Sequence, residues 1–264
     1  MTRPVTEHVG DRSLFSLDGR LAVVTGARRG IGLAVAEALA WSGADVIGVS
    51  RSLDPDGGEA RRRVEAAGRR FWAMPADLGD RDAVRGLLGR VDALDRPVDI
   101  LISNAGTIYR APAADHKLEE WDNVLEVNLT APFVLAQAIG ARMAARGSGK
   151  IVFTASLLSF QGGINVVSYT ASKHALAGVT KALANEWAPA GVTVNAVAPG
   201  YIETDNTRPL REDPERAHAI LDRIPAGRWG KPQDIAGAVV FLSSAASDYV
   251  NGTVLAVDGG WLGR

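Results

Sequence analysis

Three side chains carry the most chemical information in this chain of 264 residues: Tyr169 and Lys173, four apart in Ser168-Tyr169-Thr170-Ala171-Ser172-Lys173, and Ser156, thirteen residues before the tyrosine. Residues i and i+4 share one face of a helix, so a helical segment here sets the lysine ammonium beside the phenol. A unit charge about 4 Å away at an effective dielectric of ~20 is worth roughly 4 kcal/mol. That is on the order of three pKa units, enough to draw a phenol from ~10 towards neutrality. A tyrosine so placed exchanges a proton with an alcohol or a carbonyl near pH 7. Ser156, arriving from a strand end, is set to hold the substrate oxygen. The trio predicts the proton-handling centre of a carbonyl/alcohol oxidoreductase, although a Tyr-x-x-x-Lys spacing alone is also common on solvated helices.

A second, independent signal lies near the start of the chain. Leu21-Ala22-Val23-Val24 is a short apolar run, followed by Thr25-Gly26-Ala27-Arg28-Arg29-Gly30-Ile31-Gly32 and an amphipathic segment from Leu33 to Trp41. This reads as strand, glycine turn, helix. Gly26, Gly30 and Gly32 let the backbone approach a pyrophosphate seated at the helix N-terminus. Their spacing is G-x-x-x-G-x-G, which differs from the G-x-G-x-x-G of the better-known dinucleotide fingerprint. A further strand, Asp45 to Val49, supplies the βαβ context.

These motifs need a scaffold that brings strand ends to one edge. Strands are predicted at 21–25, 45–50, 70–75, 98–102, 149–155, 192–197 and 253–256, with helical segments between them. Such alternation predicts an α/β, doubly wound Rossmann fold: a seven-stranded parallel sheet with helices on both faces, in a single domain. Residues 1–18 lack a clear period and are expected to form an N-terminal arm, with the domain spanning 19–264. From Tyr201 to Lys231 the alternation breaks in a stretch rich in Arg, Glu, Asp and Pro, expected to be a substrate lid.

Taken together, Thr25-Gly-x-x-x-Gly-x-Gly32, Ser103-Asn104-Ala105-Gly106, Asn128, Ser156, Tyr169-x-x-x-Lys173 and Pro199-Gly200 resemble the short-chain dehydrogenase/reductase superfamily over nearly the whole chain. Ser159-Phe160-Gln161-Gly162-Gly163, Ala198-Pro199-Gly200-Tyr201, the run from Ile224 to Gly230 and the run from Asp248 to Gly252 resemble, more narrowly, its branch acting on 2-deoxy- and 3-deoxy-gluconates. The resemblance implies that Tyr169 is the acid/base, that Lys173 depresses its pKa and binds the nicotinamide ribose, and that Ser156 orients the substrate oxygen. It also implies that Asn128 holds a water in a proton relay. Asn128 lies four residues before Pro132, which lacks an N–H, so a locally opened helix is expected there.

For the cofactor, the resemblance places Asp77 on the adenine amino group and Leu78 beside it. Asn104, Ala105 and Gly106 fall at the cleft edge, with Ser103 standing where the family has asparagine. Pro199 and Gly200 shape the nicotinamide pocket, and Ile202 and Thr204 meet the carboxamide. A Rossmann site that selects NAD carries an acid at the end of its second strand. Here the strand ends Val49-Ser50-Arg51-Ser52. Arg51, with Arg28 or Arg29 and a hydrogen bond from Ser50, suits a 2′-phosphate, so of NADP(H) and NAD(H) the local chemistry favours NADP(H). The sugar-acid branch, by resemblance, commonly uses NAD.

Substrate contacts are expected from Gln161, a few residues beyond Ser156, to a hydroxyl, and from Arg208 or Arg211 to a carboxylate. The reaction expected is hydride transfer between a nicotinamide cofactor and a secondary alcohol or ketone of a sugar acid. A 3-oxoacyl thioester reductase or a gluconate 5-dehydrogenase-like enzyme uses the same machinery. A non-catalytic dinucleotide sensor is the reading from another class, and it has no need of Tyr169 and Lys173.

The net charge of −1 gives no electrostatic case for nucleic acid or an anionic membrane surface. With no cysteine there is neither a disulfide framework nor a thiolate metal site. His8, His116, His174 and His218 show no metal-ligand spacing. The first twenty residues do not read as a signal peptide, and no continuous apolar run appears long enough to span a bilayer, so a cytoplasmic protein without membrane or nucleic-acid partners is expected. The apolar C-terminal strand and the Asp248–Trp261 segment are expected to pack in a homotetramer or homodimer.

Overall fold

The computed structural model describes residues 12–264. Seven short apolar segments, most of them bounded by glycine or polar turns, form its strands: β1 (Leu21–Thr25), β2 (Asp45–Val49), β3 (Phe71–Ala73), β4 (Ile100–Ser103), β5 (Gly149–Thr154), β6 (Val192–Pro199) and β7 (Val254–Val257). Every residue of β1, β2, β4 and β6 is buried. That is why β1 and β4 read as near-continuous hydrophobic runs, while β6 carries the buried polar residues Thr193 and Asn195: a parallel sheet is covered on both faces.

The strands pair in parallel in the order β3-β2-β1-β4-β5-β6-β7. The connecting helices are α1 (Gly30–Trp41), α2 (Gly58–Ala66), α3 (Arg81–Asp92), α4 (Leu118–Leu125), α5 (Ala131–Arg146), α6 (Val167–Trp187), α7 (Arg208–Arg211), α8 (Pro214–Leu221) and α9 (Pro232–Ser243). On one face of the sheet, Leu87 of α3, Leu135 and Ile139 of α5, and Leu176 and Leu183 of α6 pack against Val23, Leu101, Ile151 and Phe153. On the other, Leu39 of α1, Val64 of α2 and Val239 and Leu242 of α9 pack against Val24, Val46, Ile102 and Val197. Strand order reverses between β1 and β4, which opens a crevice at their carboxyl ends. The doubly wound architecture agrees with the sequence reading, with strand bounds shifted by one or two residues.

Two expectations change. The N-terminal arm was drawn to residue 18, and residues 1–11, His8 among them, lie outside the described residues. Within the described part the chain packs earlier than residue 19: Leu17 is 2% exposed, and its N–H donates to the Ser42 carbonyl at 2.7 Å. Second, α4 and α5 are joined by a π-turn, Glu126–Thr130, into one helical segment over Leu118–Arg146 that is long and apolar enough to cross a membrane, with mean hydropathy 1.4 in its most apolar window. Scanning for continuous apolar runs missed it because polar residues interrupt it. Here it serves as a core helix, with Val124, Leu135, Ile139 and Met143 buried. Asp80 caps α3, accepting from the Asp82 and Ala83 N–H groups, which leaves Asp77 at the cleft.

The stretch after β6 leaves the sheet and returns to it with its two ends joined. Ile202 bridges Gly230, the Glu203 N–H donates to the Gly230 carbonyl at 2.8 Å, and the Gly230 N–H donates to the Tyr201 carbonyl at 2.9 Å. Between these ends α7 and α8 form a flap over the carboxyl edge of the sheet.

Phe153, fully buried at the centre of the sheet, sets the packing of β5. Phe153→Ala should lower unfolding free energy by about 3–5 kcal/mol in urea denaturation. A loss below about 1 kcal/mol would contradict this packing.

Candidate active site

The glycine turn follows from steric need. Gly26 and Gly30 hold φ of +73° and +56°, the left-handed region that side chains resist. A Cβ on Gly32 would lie 2.2 Å from the Gly26 carbonyl oxygen and 2.6 Å from Asn104 Nδ2. Gly32 does not itself line the cleft; it lets α1 press against the turn from beneath. Arg29, at the N-cap of α1, has an extended backbone and no side chain bonded to the first helical N–H groups. Those donors, with the helix dipole behind them, form an anion-binding end.

From this turn a cleft of about 930 Å³ runs along the carboxyl edge of the sheet. Gly26, Arg28, Arg29, Gly30 and Ile31 line its floor, with Ser50, Arg51, Asp77 and Leu78 on the β2–β3 side. Asn104, Ala105 and Gly106 follow β4, and Ser156, Tyr169, Lys173, Pro199, Gly200, Ile202 and Thr204 complete the β5–β6 side. Arg28 Nη1 donates to Ser52 Oγ at 3.1 Å, and Arg51 stands 3.6 Å from Asp77 as an exposed pair. These donors fit a dinucleotide: a helix N-terminus for a pyrophosphate, arginines where β2 ends, and a continuous passage to Tyr169.

Asn104 ties three strand ends together. Its Nδ2 donates to the Thr25 carbonyl at 3.0 Å, its Oδ1 accepts from Thr154 at 3.3 Å, and its N–H and that of Ala105 both donate to Thr25 Oγ1. Ser103, standing where the resemblance expects an asparagine, has its hydroxyl buried without a partner, and Asn104 makes these bonds.

Tyr169 and Lys173 share the first turns of α6. Lys173 Nζ lies 5.6 Å from the Tyr169 ring centroid and donates to the Thr154 carbonyl at 2.6 Å. Ser156, at the end of β5, begins a short turn, with its Oγ accepting from the Leu158 N–H at 3.2 Å. Ser159 Oγ, from the same turn, donates to the Lys173 carbonyl at 2.7 Å, locking the turn to α6.

The electrostatics differ from the simple expectation of a lysine-lowered phenol. Burial pushes the Tyr169 phenol above its ordinary value, while a hydrogen bond from Ser156 and the charge of Arg110 pull it down. Burial also lowers the Lys173 amine to about 8. The amine reaches a backbone carbonyl and the face of the ring rather than the phenolic oxygen, so its effect on the phenol is weaker than charge proximity at 4 Å implies. The ring is only partly covered and opens to the cleft, which tempers the burial effect.

Asn128 sits within the π-turn, fully buried, and the opened helix expected there is present. Its side-chain amide is fully engaged: Oδ1 accepts from the Thr107 N–H at 2.8 Å, and Nδ2 donates to the Thr107 carbonyl at 2.9 Å and to Ser172 Oγ at 3.1 Å. It does not line the cleft, so any contact with a relay water falls to its backbone.

The substrate residues are redistributed. Arg208 is bonded to Asp205, whose other oxygen holds Arg29 at 2.5 Å, and it does not line the cleft. Arg211 does line it, with one bond to the Thr204 carbonyl at 3.2 Å. Gln161 stands outside the lining residues. Sequence reading missed Arg110, which acts on the Tyr169 phenol, donates to the Asn206 carbonyl at 2.9 Å and has no carboxylate partner among the described residues. Its only signal in the sequence is its position four residues after Gly106.

The buried amine makes a signed prediction. Lys173 ionises lower in the folded chain (about 8) than at its ordinary 10.5, so the unfolded chain holds more protons between these values and stability rises with pH across that window. Relative to Lys173→Met, the wild-type unfolding free energy should gain about 1.5 kcal/mol between pH 8 and about 9.5. A flat difference would place the amine in a solvated setting.

Comparison with known proteins follows the same lines. A family model described as enoyl-(acyl carrier protein) reductase matches residues 26–262. The chain is 56% identical over 250 residues to the 2-dehydro-3-deoxy-D-gluconate 5-dehydrogenase of Pseudoalteromonas atlantica, covering 95% of this chain and 98% of that one. A Beutenbergia cavernae protein solved with bound NADP superposes with a TM-score of 0.91 at 52% identity, over 95% of this chain and all of the other. The gluconate 5-dehydrogenase of Burkholderia cenocepacia, solved with NADP and tartrate, gives a TM-score of 0.90 at 38% identity, over 96% and 98% of the two chains. With the parallel sheet, the glycine turn and the Ser-Tyr-Lys cleft in place, the chain belongs to the short-chain dehydrogenase/reductase family of nicotinamide-dependent oxidoreductases.

Proposed function

We propose that this protein interconverts a secondary alcohol and a ketone on a sugar acid of the 2-deoxy- or 3-deoxy-gluconate kind, with NADP(H) as the preferred cofactor. The observation that carries this reading is the meeting of Ser156, Tyr169 and Lys173 with the glycine turn along one cleft. The substrate class is supported by the name of the Pseudoalteromonas relative and by the tartrate, itself a hydroxy acid, in the Burkholderia structure. It is supported also by Arg110 and Arg211, two guanidiniums with no carboxylate partner among the described residues, beside or within the cleft. A carboxylate is the natural ligand for such a pair. NADP(H) is favoured by Arg28, Ser50, Arg51 and Ser52 and by the NADP in both solved relatives.

In this reading a cofactor held along the cleft by the glycine turn and Lys173 would supply or take up the hydride at the substrate carbon. Ser156 holds the substrate oxygen, and Tyr169 gives that oxygen a proton in reduction or takes it in oxidation. Lys173 holds the nicotinamide ribose and keeps positive potential beside the phenol, while the Asn128 backbone steadies a water that returns the proton to solvent. Asp77 and Leu78 hold the adenine, and Pro199, Gly200, Ile202 and Thr204 the nicotinamide end. Arg110 fixes the carboxylate and lowers the phenol pKa. The flap at 201–231 covers the site and excludes water. We further propose a cytoplasmic homo-oligomer, supported by exposed Leu118 and Phe133 on α4–α5 and by Tyr249 before β7.

The test is a turnover panel of deoxyhexonic and hexonic acids, their keto forms and a 3-oxoacyl thioester, each with both nicotinamides. A sugar acid should give the highest kcat/KM with NADP(H). Turnover of the thioester alone, or cofactor binding without any turnover, would overturn the reading. Tyr169→Phe should lower kcat at least 10³-fold with little change in cofactor affinity. Arg51→Asp should raise the KM for NADPH far more than that for NADH. Because Arg110 is placed to hold the carboxylate, Arg110→Ala should raise the KM for the acid about tenfold or more. Because Arg110 also pulls the phenol down, the same substitution should move the basic rise of the oxidation rate to higher pH, and an unmoved profile would separate Arg110 from Tyr169.

A further inference from the structure

The C-terminal tail reaches back to the turn that carries Ser156. β7 ends beside Gly200, whose N–H donates to the Val257 carbonyl at 3.0 Å, and Asp258 then reverses the chain by accepting from the Gly260 and Leu262 N–H groups at 2.8 and 2.9 Å. This delivers Trp261, 3% exposed, into an apolar cluster with Leu157, Ile220 and Ile224. The indole touches three functional segments together. Its ring stands 4.7 Å from that of Tyr201 at the end of β6, and Arg223 of the flap lies 4.0 Å over it. Its Nε1 donates to Gln161 Oε1 at 3.2 Å.

That last bond sets an orientation. An indole N–H can only donate, so the Gln161 atom facing it must be the carbonyl oxygen. The two donors on Nε2 are turned away, and among the described residues they have no partner. Gln161 does not itself line the cleft, but it closes the turn that Ser156 begins at the cleft edge: its N–H donates to the Leu157 carbonyl at 3.2 Å, and the same turn is bonded to α6 through Ser159 and the Lys173 carbonyl. Without Trp261 the amide is free to rotate, presenting an acceptor or a donor to a substrate hydroxyl with little preference.

Building on the sugar-acid reading above, we propose that Trp261 is a positioning residue for the substrate's hydroxyl chain: it fixes the Gln161 amide so that its N–H donors, and not its carbonyl, meet a substrate hydroxyl oxygen. Gln161 makes the contact, and Trp261 acts through it.

The test uses the full-length protein with Trp261→Phe, Gln161→Ala and the double variant, assayed on the best hexonic or deoxyhexonic acid of the panel. Phenylalanine keeps an aromatic ring beside Tyr201 and Arg223 while removing the N–H and the volume of the second ring, so Gln161→Ala and the double variant separate the lost bond from the lost packing. Trp261→Phe should raise the KM for the acid about five- to tenfold, with kcat within about twofold and NADPH affinity unchanged. In the Gln161→Ala background it should add nothing. A wild-type KM in Trp261→Phe, losses that multiply in the double variant, or a parallel fall in kcat, NADPH affinity and melting temperature would each overturn the proposal. If the sugar acids turn over and Trp261→Phe matches wild type, only this inference falls; if none turns over, the substrate reading falls and takes the inference with it.

Discussion

The site depends on one costly placement, a lysine amine buried between a backbone carbonyl and a phenol ring. Lys173 is 3% exposed, and its Nζ bonds the Thr154 carbonyl at the end of β5. Burial disfavours its charge, and no carboxylate is among the influences on it. An amine without a counterion is a poor stabiliser of a fold. It is a good way to hold positive potential next to an ionisable phenol and still allow the lysine to release its proton near neutral pH. The same burial raises Tyr169, so burial opposes the ordinary ionisation of both groups, and the tyrosine's proton is governed by the charges that enter or line the cleft.

The rest of the architecture can be understood as holding that pair against the strand ends. Parallel pairing sends β1, β4, β5 and β6 to the same edge, and the reversal of strand order between β1 and β4 leaves the opening there. Gly26 and Gly32 let α1 approach closely enough for Asn104 to bond the Thr25 carbonyl, which joins the glycine turn to β4 and, through Thr154, to the strand that anchors Lys173. Asn128 braces the opposite side by bonding Thr107 and Ser172. The π-turn around it is a local loss of helical regularity next to Pro132, of the kind found where function outweighs local preference.

Local pattern made much of this legible in the sequence. β1 and β4 announce themselves as apolar runs because both their faces are covered, and Gly26, Gly30 and Gly32 stand out because their backbone geometry and crowding admit no side chain. Tyr169 and Lys173 are four apart on one helix, so their meeting is a matter of helical period. Arg110 was invisible for the opposite reason. It lies 59 residues from Tyr169 in an irregular segment, and only the return of β5 and α6 to the neighbourhood of β4 brings them together. Arg208 misled because an arginine in a flap looks free until Asp205, three residues earlier, is seen to occupy it. Trp261 closes a segment expected to pack in an oligomer, and its bond to Gln161 spans a hundred positions that no spacing rule connects.

Burial raises the Tyr169 phenol in the free protein, and positive charge in the cleft draws it down. The chain has four tyrosines, so a ring-labelled sample titrated by NMR, with Tyr169→Phe to assign the signal, reads that ionisation directly. The account predicts a midpoint above the ordinary phenol value of 10.0 in the free protein and a clear fall on saturation with NADP⁺, whose nicotinamide ring carries the charge. A midpoint at or below the ordinary value in the free protein, or one that NADP⁺ leaves unchanged, would contradict it.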